Sequence, residues 1–129
     1  TEYKESIHYN MKDMNAFNVI ECLKKEPFDI EEFLVMIGRA ELLSREEEQA
    51  LVDKAHQGDD EAMNQLLCAK ARFVPSLASQ YKGKGTSMQE LLYVGMLALR
   101  NAVMEYDVNS EDSLIKFAVP QMRKALEKM

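Results

Sequence analysis

Apolar residues return every three or four positions through most of this chain, the spacing of helices with one buried side. The first 26 residues are the least patterned; Ala16 to Lys25 predicts a short helix with Phe17, Ile20 and Leu23 on one side, ended by Pro27. Asp29 reads as the N-cap of IEEFLVMIGRA, with Ile30, Phe33, Leu34 and Ile37 as its stripe and Gly38 weakening its end. Ser44-Arg-Glu-Glu47 is a capping box that opens a helix through Ala55, with Leu51, Val52 and Ala55 inward. From Asp60 to Tyr81 the residues Ala62, Leu66, Ala69, Phe73, Leu77 and Tyr81 form another stripe. Pro75 falls inside that run, where a lost donor and a ring clash cost about 3 kcal/mol, so a kink or break is expected. Lys82 to Gly85 is a turn, and Ser87-Met-Gln-Glu90 is a second capping-box pattern, opening a helix from Met88 to about Tyr106. Its inward stripe is Met88, Leu91, Leu92, Gly95, Leu99, Ala102, Val103 and Tyr106. A final helix is expected from about Glu111 to Lys128, lined by Leu114, Phe117, Ala118, Met122, Ala125 and Leu126 and interrupted at Pro120. Five or six helices and no convincing strand predict an all-α domain.

Composition removes more than it adds. With 129 residues the chain suits one domain able to bury its own core. Eight Gly and Pro together, five and three, fit helices better than a turn-rich β-fold. Cys22 and Cys68 lie far apart with no metal-ligand spacing, so neither a zinc site nor a disulfide framework is expected, and reduced thiols in a cytoplasm are the plain reading. No stretch is long enough for a membrane span and no leader pattern opens the chain, while Thr1 in place of Met suggests trimming. His8 and His56 have no partners at ligand spacing, and no nucleophile–base pair or phosphate-binding glycine loop is present; catalysis and cofactors are not expected. The net charge of −6 means that any grip on nucleic acid must come from a local basic patch.

From about Ile30 onward the sequence resembles the housekeeping-type, sigma-seventy family of bacterial RNA polymerase sigma factors. The resemblance rests on a helix ending Ile37-Gly-Arg39, the pair Leu42-Leu43, the Ser44-capped Glu46-Glu-Glu48 helix and the Gly58-Asp59 start of the next. It continues through Arg72-Phe-Val74, Gly83 and Gly85, Glu90-Leu-Leu92, Gly95, Leu99 and Tyr106-Asp107. It implies a helical domain over residues 29–129, corresponding to the family's second conserved region with the segment before it, and assigns no role to the N-terminal segment, 1–28. It also implies a non-enzymatic role in transcription initiation, with the clamp of core RNA polymerase as partner and promoter minus-ten DNA as a second. The match ends near the close of that second region and brings no module for the minus-35 element.

The departures from the family pattern are specific. The polymerase-docking helix reads Leu91-Leu-Tyr-Val-Gly-Met-Leu-Ala-Leu99, so Tyr93, Val94 and Met96 replace a polar triplet; with Glu90 they are the expected partner-binding residues. The resulting helix is apolar around most of its circumference, which predicts a cover: the N-terminal segment or a second copy of the chain. In the last helix Pro120 and Gln121 stand where the family has paired tryptophans, and Phe117 stands at its base-capturing tyrosine. The resemblance makes Phe117 a platform for an unpaired base, while the stripe makes it a core residue. Lys70, Arg72, Lys82, Lys84, Lys116, Arg123 and Lys124 are the basic groups available to track a phosphate backbone, or else a solvated face. Sigma-like regulation through a protein partner (polymerase, an anti-sigma factor or a second copy) without DNA opening, and a purely structural or self-associating helical domain, are the competing expectations.

Overall fold

The computed structural model describes residues 18–129. Within them the chain forms seven α-helices and no strand: α1 Val19–Cys22, α2 Ile30–Gly38, α3 Arg45–His56, α4 Asp60–Lys70, α5 Val74–Ser79, α6 Met88–Glu105 and α7 Leu114–Glu127. A single 3-10 turn, Ala71–Phe73, joins α4 to α5.

The caps form as their sequences dictate. Asp29 accepts from the amides of Glu31 and Glu32. Ser44 and Glu47 exchange both bonds of a capping box, 3.1 Å from the Glu47 amide to the Ser44 hydroxyl and 2.9 Å from the Ser44 amide to the Glu47 carboxylate. Those bonds hold the Glu47 carboxyl below the usual carboxylate range. Asn18 caps α1, Asp59 caps α4 and Ser87 caps α6. Gly58 ends α3 at φ +93°, a backbone that a side chain would strain.

The run from 60 to 81 breaks, as expected, into α4, the 3-10 turn and α5, because Pro75 occupies the first turn of α5, where its missing N–H costs nothing. Other expectations change. The last helix starts at Leu114, since Ser113 supplies a side-chain cap to the Lys116 amide that Glu111 has no means to supply. That helix then runs unbroken through Pro120. In α2, Met36 takes the inward place expected of Leu34, which is 41% exposed; Phe73 is likewise 42% exposed on the 3-10 turn.

Helix α6 is the axis of the fold, touching α1, α3, α4, α5 and α7. Its inner residues Leu91, Leu92, Met96, Leu99 and Ala102 join Val19, Leu23, Phe33, Ile37, Val74, Ala118 and Met122 in the main core. Each such Leu or Met contributes about 1.5–3 kcal/mol by leaving water. A second cluster, Val52, Ala55, Leu66, Val103, Tyr106 and Leu114, locks α3 against the α6–α7 corner. Gly95 permits the tightest approach: a Cβ there would lie 2.9 Å from Cγ1 of Val74. Burial pushes the Cys68 thiol up to about 12 and raises that of Cys22 as well. Phe17, expected to pack with Ile20 and Leu23, lies outside the described residues, as does His8.

Candidate functional site

Two surfaces carry the residues singled out by sequence, one at the start of α6 and one along α7. At the first, Ser87 accepts from the Glu90 amide and fixes the first turn. The Gln89 side chain donates to two carbonyls at the end of the N-terminal segment, Leu23 at 2.8 Å and Lys25 at 3.1 Å. Those bonds seat Lys24 with its Nζ 6.0 Å from the centre of the Tyr93 ring. The result is a groove of about 510 Å³ whose walls include Leu23, Glu26, Glu90 and Tyr93. Glu90 is exposed, and Tyr93 and Val94 are half-buried.

Met96 does not share this surface. It is 0% exposed and sits on the inner side of α6, so it has no area to offer a partner. The apolar replacements therefore divide by helical phase, with Tyr93 and Val94 half-buried and Met96 in the core.

The seven basic residues also separate. Lys70 pairs with Glu48, both side chains largely covered, 18% and 12% exposed. Arg72 is half-buried; its Nη2 donates to the Ala40 carbonyl at 2.6 Å, beyond the end of α2, and its Nε is buried without a hydrogen-bond partner. Both are committed to the interior rather than presented to a ligand. Lys116 is exposed near the start of α7, 3.6 Å from Asp112 one turn earlier, a contact worth little in water. Arg123 and Lys124 lie exposed near its other end, where Arg123 donates to Gln80 at 3.0 Å. Lys82 and Lys84 reach the same end from the turn after α5, and Lys84 Nζ stands 5.8 Å from the centre of the Tyr81 ring.

Phe117 is half-buried and touches both core clusters. Its ring meets that of Tyr106 at 5.6 Å between centres and 50° between planes, the tilted geometry that aromatic pairs prefer. The Tyr106 hydroxyl donates to the Asp112 carbonyl at 2.6 Å, fixing the ring that fixes Phe117. Sequence reading passed over Gln89, Gln80 and Tyr81. Glutamine carries no sequence signal for a long-range carbonyl contact, and Tyr81 was absorbed into a buried stripe. Among the described residues no group of His, Cys, Asp and Glu is arranged to hold a metal, and no helix is long and apolar enough to cross a membrane.

With this geometry in place, known proteins supply the deciding observation. Residues 33–61, from α2 into the first turn of α4, match the family described as sigma-70 factor, region 1.2. The chain is also 35% identical over 94 residues to the RNA polymerase sigma factor SigA of Listeria monocytogenes, and equally to that of Listeria innocua. The chain is similar to the sigma-70 family over this stretch. The alignment covers 73% of the chain and 25% of each relative, so it spans about a quarter of the length of the curated relatives it matches. The sigma-70 region 1.2 match includes the Ser44 box and the Asp59 cap, the two helix starts that order α3 and α4.

Proposed function

We propose that this chain is a sigma-factor-like transcription initiation protein that binds core RNA polymerase through the first turns of α6, with single-stranded promoter minus-ten DNA as a second partner. It acts by binding and not by catalysis, in the cytoplasm. The observation that carries the reading is the surface at the start of α6. Glu90 and Tyr93 line one groove, with half-buried Val94 next along the chain, on a helix held rigid by the Ser87 cap and by the Gln89 bonds to Leu23 and Lys25. A preordered surface with aromatic, apolar and acidic groups loses little entropy when a partner arrives. Leu23, Lys24 and Glu26 serve as one wall of that surface, and residues 29–129 form the helical body.

The DNA-contacting part rests on the side of α7 that shows Lys116, Arg123 and Lys124, with Lys84 nearby. Phe117, held against Tyr106, and Pro120–Gln121 in place of a tryptophan pair both favour contact with already opened DNA over opening it. The test is retention of the purified chain on immobilised core polymerase. Wild type is expected to be retained, and Glu90→Lys and Tyr93→Ala, with helical content unchanged, to be lost. No retention of the wild-type chain, or full retention of both variants, refutes the assignment.

A further inference from the structure

Six large apolar side chains are exposed among the described residues, and four of them gather in one region: Leu34 and Val35 on α2, Leu42 on the loop that leaves it, and Phe73 on the 3-10 turn packed against it. Exposed apolar residues scattered singly need no explanation, whereas a cluster does. This one is held in place. The Arg72 guanidinium donates to the Ala40 carbonyl, and Phe73 and Leu42 flank that bond, one and two residues beyond its ends. Leu43 packs on the second core cluster and anchors the loop beside Leu42, which is left 74% exposed.

Along α2 the row Ile30, Leu34 and Gly38 recurs every four residues, the spacing of one ridge on a helix surface. At its start Phe28 and Ile30 line a groove of about 550 Å³ whose other walls include Asp29, Glu31 and Glu32, with no cation in its lining. At its end a Cβ added to Gly38 would meet nothing within 4 Å, so there is room beside Leu34. Charge narrows what can sit here. Residues 29–48 carry seven carboxylates against two arginines, Arg39 and Arg45, a net of −5, and from across the fold Lys70 pairs only with Glu48. Such a face repels nucleic acid and anionic lipid, and a second copy laid face to face on it would set like charge on like. The fitting occupant is cationic as well as apolar.

We propose that the outer face of α2, with Leu42 and Phe73 beside it, docks a basic amphipathic helix of a protein partner. Apolar side chains at every third or fourth position of the incoming helix settle on Ile30, Leu34 and Leu42, and its flanking Lys or Arg residues meet the carboxylates of Glu31 and Glu41. The α2 groove shares no lining residue with the groove at the start of α6, so this docking does not depend on what binds there.

Fluorescence anisotropy with a labelled peptide of about 18 residues, five helical turns of Leu and Lys at the amphipathic period, tests this against two controls. One control scrambles the same composition, and the other replaces Lys by Glu. The full wild-type chain is expected to bind the Leu–Lys helix about ten-fold or more tightly than either control, and less tightly as salt rises. Leu42→Ser, with helical content unchanged, is expected to weaken binding by about ten-fold. The double variant Glu31→Gln, Glu41→Gln is expected to flatten the salt dependence. Met104→Ser, which removes an apolar side chain 48% exposed on α6, is expected to leave affinity unchanged. No binding by wild type, equal binding of the scrambled peptide, wild-type affinity in Leu42→Ser, or an equal loss in Met104→Ser would each overturn the docking face. So would a dimer in sedimentation that Leu42→Ser dissolves, since the face would then belong to a second copy.

Discussion

Gly95→Ala weighs a helix preference against a packing conflict at the centre of the fold. Gly95 is buried midway along α6, where alanine is intrinsically favoured over glycine by about 1 kcal/mol. The new methyl, however, would be placed 2.9 Å from Cγ1 of Val74, itself buried at the start of α5. A β-branched side chain has little rotamer freedom with which to retreat, and α5 is held in place by Leu77 and Ala78 in the same core. Overpacking of this kind costs about 1–3 kcal/mol. The conflict outweighs the propensity, and the expected result is a net loss of about 0–2 kcal/mol. Near the middle of that range the melting temperature falls by about 3–5 °C for a chain of this size. Urea unfolding followed by circular dichroism measures the change, and a double-mutant cycle isolates its cause. Val74→Ala alone should cost about 1.5–3 kcal/mol, and its cost should shrink by about 1 kcal/mol or more when Gly95→Ala is already present. A Gly95→Ala protein more stable than wild type by about 1 kcal/mol, or additive effects in the cycle, would refute the argument that Val74 is what keeps position 95 a glycine.

Two other consequences are measurable. Cys68, its thiol raised to about 12 by burial, should react with disulfide reagents at pH 8 only on unfolding. Since its folded value lies above the unfolded one, the neutral thiol's contribution is complete below about pH 9 and is lost as pH rises from about 9 to about 12, so urea midpoints should decline across that window. Ser44→Ala should cost about 1 kcal/mol by removing one arm of the capping box. The Glu47 contribution to that box, whose carboxyl is held low, should fade as pH falls through its lowered value, which an acid titration of wild type against Glu47→Gln would detect.

The helix starts were legible because each is a local bargain between a side chain and amides two or three residues ahead; Asp29, Ser44 and Ser87 cap where their sequence places them. The inner stripe of α6 was legible for the same reason, carried by period alone. What stayed hidden was set by partners distant in sequence. Leu34 and Met36 are both strongly apolar, and the elements packed against α2, the 3-10 turn among them, determine which of them is buried. Lys70 and Arg72 read as surface cations until Glu48 and the Ala40 carbonyl are seen beside them. Met96 read as part of an exposed apolar face, because helical phase alone does not reveal how many neighbours surround α6.

The two Gln89 bonds also set an order on synthesis. They join positions 66 and 64 residues apart, so the carbonyls of Leu23 and Lys25 wait for a partner that emerges much later from the ribosome. At about 5–20 residues per second, the interval is roughly 3–13 s. During it Val19, Ile20 and Leu23 have no α6 to pack on, and the emerging chain exposes a short apolar segment that a holding chaperone would recognise.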